Sequence, residues 1–144
     1  MSDSLQPSDI AYIAGLFDGE GSVYEVNGNA PHAAISVTNK HMPTLLTLQE
    51  LLGGHVYAAG WSGDCWVWRL ANKGMVVVVL QLLLPCLVIK HSQAALAIQL
   101  NKLPAVRNLH GKEYADAEDL RGWCLSKLKE LKHRDRGYTL PTSN

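Results

Sequence analysis

The stretch IAGLFDGEGS, residues Ile13–Ser22, decides the fold of this sequence. It starts as an apolar helix and ends with two acidic residues, Asp18 and Glu20, set among glycines. An acid at the C-terminus of a helix lies at the negative end of the helix dipole, which disfavours it by about 0.3 to 1 kcal/mol. A bound cation would make the interaction of these acids with their surroundings favourable. Carboxylates and exposed backbone carbonyls are oxygen ligands that suit Mg²⁺. A plain turn with solvated acids is the alternative, and the local sequence leaves it open.

The same helix carries a face of small residues. Ala11, Gly15 and Gly19 lie four residues apart, so they share one side of the helix. Glycine in a helix interior costs about 0.8 to 1 kcal/mol relative to alanine. Close packing of another helix along this face would offset that cost, so the pattern indicates a helix–helix contact.

Composition predicts one folded unit. The chain has 144 residues and is 47% hydrophobic, so we expect a single domain over residues 1–144, with a loose tail from about residue 134. Thirteen Lys and Arg balance thirteen Asp and Glu, so net charge neither demands nor excludes a polyanionic partner. Three widely spaced cysteines without a CxxC pair argue against a disulfide framework and a zinc site.

Neither a targeting segment nor a membrane span is predicted. The first residues, MSDSLQPSD, are polar and acidic, unlike a secretory or transit signal. The apolar run 75–89 is interrupted by Gln81 and Pro85 and is shorter than the ~20 residues that span a bilayer. We therefore expect no membrane partner and a location in the cytoplasm or an organellar matrix.

The order of elements predicts an α+β domain. Ser8 is expected as the N-cap of a helix that ends near Glu20, before Gly21. Alternation and turn residues then predict a hairpin, a helix after Pro43, a second hairpin and further helices, over residues 22–26 and 32–39, 43–52, 55–59 and 65–71, 75–84, 90–103 and 113–133. Four antiparallel strands with helices on one face leave the other face of the sheet free.

In this context IAGLFDGEG resembles the signature of the LAGLIDADG homing endonucleases, with substitutions at Ile13, Phe17, Gly19 and Glu20. The order of elements is similar to the family's αββαββα core, whose four-stranded antiparallel sheet binds DNA. A search for a second motif finds only YADAEDLRG, residues 114–122, which lacks the paired glycines. The resemblance therefore implies the single-motif class, which acts as a homodimer.

The resemblance also implies an activity and a site. It implies a site-specific double-strand DNA endonuclease that uses Mg²⁺ or Mn²⁺ and recognises a long, near-palindromic site. Glu20 would be the metal ligand, with a contribution from the carbonyl of Gly21. The dimer interface would contain Ala11, Gly15, Asp18 and Gly19, with Asp18 capping or bracing the helix ends.

Two further residues match supporting positions of the family. Asn39, in VTNK, would orient the attacking water, and Lys90, at the end of PCLVIK, would stabilise charge on the scissile phosphate. Lys40, next to Asn39, could equally be an ordinary solvated lysine. For Lys90, the alternative is a surface lysine at the start of a helix with no role in catalysis. The second helix lacks the arginine that some relatives have, which puts a second supporting cation in doubt.

An antiparallel sheet of this size fits the major groove of DNA. Taking Ser22 as outward predicts a DNA-binding face, whereas Trp66 and Trp68 are expected to face the core; a slip of one residue would invert this assignment. That face would consist of Ser22, Tyr24, Val26, His32, Ala34, Ser36, His55, Tyr57, Ala59, Val67 and Arg69. Phosphate contacts would come from Lys73, Lys102, Arg107, Lys112 and the cluster in 127–136.

Two other functions remain open for the sequence. The same fold serves DNA-binding regulators that do not cleave and RNA-splicing maturases. A small α+β ligand- or protein-binding domain, in which DGEG is only a turn, is the second alternative. An acid at Glu20 favours cleavage over the first alternative, whereas a monomer with no affinity for duplex DNA would favour the second.

Overall fold

The structure is a computed structural model that describes residues 5–28, 30–60, 63–104 and 109–137, with the side chains described as far as residue 133. Its helices are α1 (Pro7–Glu20), α2 (Met42–Leu52), α3 (Lys73–Leu83), α4 (His91–Asn101) and α5 (Gly111–Gly137). Its strands are β1 (Gly21–Val26), β2 (His32–Asn39), β3 (His55–Ala58) and β4 (Trp66–Leu70). A 3₁₀ turn, Leu84–Cys86, follows α3.

The α+β class and the order of elements are confirmed, and the differences lie at element ends. The predicted N-cap at Ser8 is wrong: α1 begins at Pro7 and Gln6 is the N-cap. Asp9 accepts a hydrogen bond from the backbone N–H of Gln6 at 2.9 Å, and proline suits the first position of a helix because it lacks an N–H. Helix α5 continues to Gly137, into the segment expected to be loose, and residues 138–144 lie outside the described part of the chain.

The four strands form one antiparallel sheet in the order β1-β2-β4-β3. One face packs against the helices and carries the core residues of the strands, among them Val23, Ile35, Val37 and Trp68. Trp66 is half-buried and packs against the same core, so both tryptophans face inward as expected. The opposite face has no helix packed on it within the described residues.

Two glycines allow close approaches that hold this architecture. At Gly21, where α1 becomes β1, a Cβ atom would lie 2.3 Å from Cδ2 of Phe17, so only glycine lets the chain leave the helix across that ring. At Gly54, before β3, φ is +87° and a Cβ would lie 2.5 Å from the carbonyl oxygen of Arg69. The two glycines therefore allow the tight connections from α1 to β1 and from α2 to β3.

The apolar run over 75–89 is folded into the core. Helix α3 buries Val76, Val79, Leu80 and Leu83, and the run then breaks at the 3₁₀ turn that contains Pro85. Throughout the described ranges, every helix falls short of the length or the apolar character needed to cross a bilayer.

Candidate active site

Glu20 is the last residue of α1, and β1 begins at the next residue. The pairing of Gly21 with Val37 places Glu20 beside Thr38, one step beyond the end of the β1–β2 ladder. Glu20 is exposed, and no described residue forms a hydrogen bond or ion pair with its carboxylate. An open cavity at this point is lined by Glu20, Thr38, Asn39, Lys40 and Cys65.

Asn39 is held in this cavity by a local hydrogen bond. Its Oδ1 accepts from the backbone N–H of His41 at 2.8 Å, as in an Asx turn. An asparagine amide has two N–H donors, and within the described residues neither is used. The structure therefore brings Asn39 to the same cavity as Glu20 with donor hydrogens that are free for another partner.

Asp18, two residues before Glu20, has a different environment. Its carboxylate accepts from the backbone N–H groups of Val88 at 2.8 Å and Lys90 at 2.9 Å, at the start of α4. In return, Lys90 Nζ donates to the carbonyl oxygen of Asp18 at 2.7 Å. The acid thus lies at the positive end of α4 and the ammonium at the negative end of α1, so each offsets a helix dipole. These contacts offset the charge of Asp18 without a metal ion, whereas no described residue offsets the charge of Glu20.

The two lysines considered near the site also differ. Lys90 lies at the C-terminal end of α1 but does not line the cavity, and one of its three ammonium hydrogens is used by Asp18. Lys40 lines the cavity, yet its Nζ is 3.9 Å from Asp64, and both side chains are mostly exposed. Exposed ion pairs of this kind contribute little to stability, about 0 to 1 kcal/mol.

The small-residue face of α1 points away from the core. Ile13, Ala14 and Phe17 are buried, whereas Gly15 and Gly19 are exposed, and a Cβ atom at either glycine would meet nothing within 4 Å. Ala11 is exposed on the same face, and its neighbour Tyr12 is 61% exposed. A second helix could therefore lie directly on the backbone of α1.

The open face of the sheet is the face without helices, and the strand register defines it. Ser22 pairs with Ser36, Ser36 with Arg69, and Arg69 with His55, so these four residues form one row across all four strands. Tyr24 and Tyr57 lie on the same face, next to that row. The predicted register is therefore the observed one.

Some predicted members of this face are less available. Ala34 is fully covered, and Ala59 follows the end of β3 and is buried. His32 is half-buried, with Nε2 at 3.0 Å from the carbonyl oxygen of Ala71. Small and imidazole side chains near the margin of the sheet thus serve packing and backbone pairing there.

Arg69 lies over the aromatic ring of Tyr24. Its Cζ is 5.5 Å from the centroid of the Tyr24 ring, within the range of a cation–π contact. Burial raises the pKa of the Tyr24 phenol, and the nearby Arg69 charge partly opposes that shift. The Nε atom of Arg69 is buried and has no hydrogen-bond partner among the described residues.

Of the predicted phosphate-binding residues, Lys73 is turned inward. Its Nζ donates to the carbonyl oxygen of Leu103 at 3.1 Å, and burial, together with the nearby Arg121, lowers its pKa. Lys102 and Lys112 are exposed, whereas Arg107 lies outside the described residues.

Sequence reasoning did not select Thr38 and Cys65, which line the cavity with Glu20. Thr38 could have been found, because it continues the alternation that places Ser36 outward. Cys65 could not, because its position depends on the turn between β3 and β4. Nor did the sequence single out Asn101, which is buried and bonds both backbone groups of Ala33, at 2.8 and 2.9 Å.

Among the described residues, the cavity is thus lined by one carboxylate, that of Glu20. Within the described ranges, His, Cys, Asp and Glu side chains form no group of three or more that could hold a metal ion. A single carboxylate with backbone oxygen and water matches the sparse protein coordination of Mg²⁺, which binds substrate phosphates in addition. The donor set at Glu20 therefore fits Mg²⁺.

Residues 8–54, which include α1 from its second residue onward together with β1, β2 and α2, match the sequence model of the LAGLIDADG-like domain. The fold is similar to that of the homing endonuclease I-CvuI, solved in complex with DNA in the presence of Mg (TM-score 0.64, 19% identity, 92% of this chain and 97% of that chain). It is also similar to the archaeal intron-encoded homing endonuclease I-Vdi141I complexed with DNA (TM-score 0.61, 16% identity, 87% and 97%).

The fold is also similar to I-SmaMI bound to an uncleaved DNA target in the presence of calcium ions, a chain about twice as long as the matched region. The TM-score is 0.66 at 16% identity, and the match covers 93% of this chain but 50% of that chain. At these identities the similarity establishes the fold.

Proposed function

We propose that this chain, whose residues 8–54 match the LAGLIDADG-like domain and whose fold is similar to that of solved homing endonucleases, is a site-specific, divalent-metal-dependent double-strand DNA endonuclease. It acts as a homodimer on a long, near-palindromic site. The observation that carries this proposal is the contrast between Asp18, whose charge is offset by α4, and Glu20, whose exposed carboxylate faces the cavity without a protein partner in the described residues.

Glu20 and the backbone carbonyl of Gly21 would hold the metal at the end of α1. When bound, Mg²⁺ or Mn²⁺ supplies Lewis-acid stabilisation of the phosphate and lowers the pKa of bound water. The scissile phosphate lies over the cavity between α1 and the end of β2. Glu20 there supplies the negative charge that makes the site selective for a cation.

Asn39 and Lys90 act on groups around the phosphate. The Asn39 amide is neutral and cannot act as a general base. Its role is to orient the attacking water through its N–H donors, which no described residue uses. Lys90 donates one ammonium hydrogen to the carbonyl oxygen of Asp18, and since no other described residue accepts from it, two are left to stabilise negative charge on the phosphate oxygens.

The homodimer explains two features of the single chain. The exposed Gly15 and Gly19 allow the two α1 helices to pack closely, and this brings the two Glu20 carboxylates together at the centre of the assembly. Each chain then presents its open sheet face to one half of the DNA site, in the major groove. The two halves of the site are related by the two-fold axis, as in other symmetric dimers on palindromic DNA.

The experiment is a selection from a randomised duplex library with the full-length protein. Duplexes retained in Ca²⁺ are sequenced, and those cut in Mg²⁺ are recovered by their ends. One near-palindromic sequence found in both sets supports the proposed endonuclease. Retention of one sequence without cutting supports a DNA-binding regulator. If no sequence is retained and none is cut, DNA recognition is refuted.

A further inference from the structure

Arg69 is the one lysine or arginine in the four strands, every residue of which is described. The only acid in these strands, Glu25, alternates with Tyr24 and belongs to the opposite face. The remaining side chains of the open face are hydroxyl, imidazole, phenol or small apolar groups. A face of this size with one permanent charge concentrates its cationic hydrogen bonding at a single point.

The register places that charge in the interior of the sheet. Strand β4 lies between β2 and β3, and Arg69 pairs with Ser36 on one side and His55 on the other. When a sheet lies in the major groove, its interior faces the base edges and its periphery approaches the phosphate backbones. The position of Arg69 therefore favours contact with a base.

The neighbours of Arg69 restrict its side chain. Tyr24 pairs with Ala34 on β2, and the small Ala34 and Ser36 leave room for the Tyr24 ring to reach across β2 to the guanidinium. Stacking on an aromatic ring holds the planar guanidinium in one orientation. A cation held in this way loses less conformational freedom when it binds, which favours bidentate contact.

We propose that Arg69 is the main specificity-determining residue of the open face and reads one guanine in each half of the DNA site. This inference rests on the proposed function. Arginine donates two hydrogen bonds to O6 and N7 of guanine, the commonest specific contact in the major groove. The two-fold symmetry of the dimer places the second guanine on the other strand, at the mirrored position. Ser22, Ser36 and His55 flank this contact and discriminate less, because they offer single donors or acceptors.

The test repeats the Ca²⁺ library selection with Arg69→Gln, Arg69→Lys and, as a matched charge control, Lys102→Gln. Glutamine pairs in a bidentate manner with adenine, so Arg69→Gln changes the preferred base at one symmetric position from guanine to adenine. Arg69→Lys keeps the charge but lowers the preference for guanine there about tenfold, because the planar fork is lost. Lys102→Gln removes one positive charge from an exposed position predicted to contact phosphate, so it weakens binding about equally for all sequences and leaves the base preferences unchanged.

The results separate this inference from the function on which it rests. A site that is bound and cut, but whose guanine preference is the same in the Arg69 variants, contradicts the inference and keeps the endonuclease. A uniform loss of affinity over all sequences assigns Arg69 to a phosphate and also contradicts it. Absence of duplex binding by the folded wild-type protein overturns both. Circular dichroism of each variant verifies that the sheet is intact.

Discussion

The two faces of the sheet have the same backbone and opposite chemistry. On the helix-covered face, Val23, Val37 and Trp68 are almost fully buried, with Trp68 1% exposed. On the open face, the adjacent row of Ser22, Ser36, Arg69 and His55 is polar and at least partly exposed. Because side chains alternate along a strand, the covered face fixes the register and thereby positions every residue of the open face.

The difference between the two faces separates the residues that stabilise the fold from those available for recognition. Burial of apolar side chains supplies the free energy that holds the sheet, and those residues cannot change without cost. The open face is positioned by that core but contributes little to it. The α1 helix repeats the division, since Phe17 is buried on one side and Gly15 is exposed on the other.

Truncation on the covered face should have the largest effect on stability. We expect Trp68→Ala to lower the free energy of unfolding by about 3 to 5 kcal/mol, since it leaves a cavity and removes the 2.8 Å hydrogen bond from Nε1 to Gly53. Tyr57→Ala, on the open face of the adjacent β3, should change it by about 0.5 kcal/mol or less. Urea denaturation of both variants measures the difference, and equal losses would contradict the division between the faces.

Blocking the exposed side of α1 should disrupt assembly while leaving the fold intact. We expect Gly15→Glu to weaken dimerisation at least tenfold, because the new side chain and its charge occupy the space needed by a second α1 helix. Unfolding of the single chain should be unchanged or slightly harder, since glutamate favours helix over glycine by about 0.5 kcal/mol or more.

The matched control for this variant is Gly122→Glu on α5, where the glycine is also exposed and a Cβ would meet nothing within 4 Å. Sedimentation velocity over a range of concentrations measures the dimer. If both variants dimerise like the wild-type protein, the small-residue face of α1 is not the interface.

The smallest expected effect is a pH dependence of the open face. Burial raises the pKa of Tyr24 above its ordinary value of 10.0, so the unfolded chain loses this proton first as pH increases. Stability from this group is present below pH 10 and is lost above it. Tyr24→Phe should reduce the alkaline loss of stability, whereas Tyr114→Phe, exposed on α5, should retain it. Thermal unfolding from pH 8 to 11 measures both, and identical curves for the two variants would contradict this assignment.

Much of the fold was predictable because its signals are local. Taking Ser22 as outward and alternating from it placed Ser22, Ser36 and Arg69 on one face, and Gly53-Gly54 marked the end of α2. The N-cap was missed because Gln6 and Asp9 compete with Ser8 through a hydrogen bond that composition does not reveal. The ends of the other helices differ from the prediction by at most two residues, except that α5 extends four residues further, to Gly137.

The site was predictable only in part. The unusual position of two acids on α1 pointed to the site, but their division of labour depends on Val88 and Lys90, about seventy residues away in sequence. Likewise, Asn101 substitutes for a strand by bonding Ala33, a contact between α4 and β2 with no sequence pattern. Long-range contacts of this kind are determined by packing.

The most direct test of the central claim compares Glu20→Gln with Glu50→Gln, an identical change at an exposed position of α2. On the duplex selected by the wild-type protein, binding in Ca²⁺ and cleavage in Mg²⁺ are measured side by side. We expect both variants to bind within a few-fold of the wild-type protein, and Glu20→Gln alone to lower the cleavage rate about 100-fold or more. Cleavage by Glu20→Gln at the wild-type rate would contradict the assignment of this carboxylate to the metal.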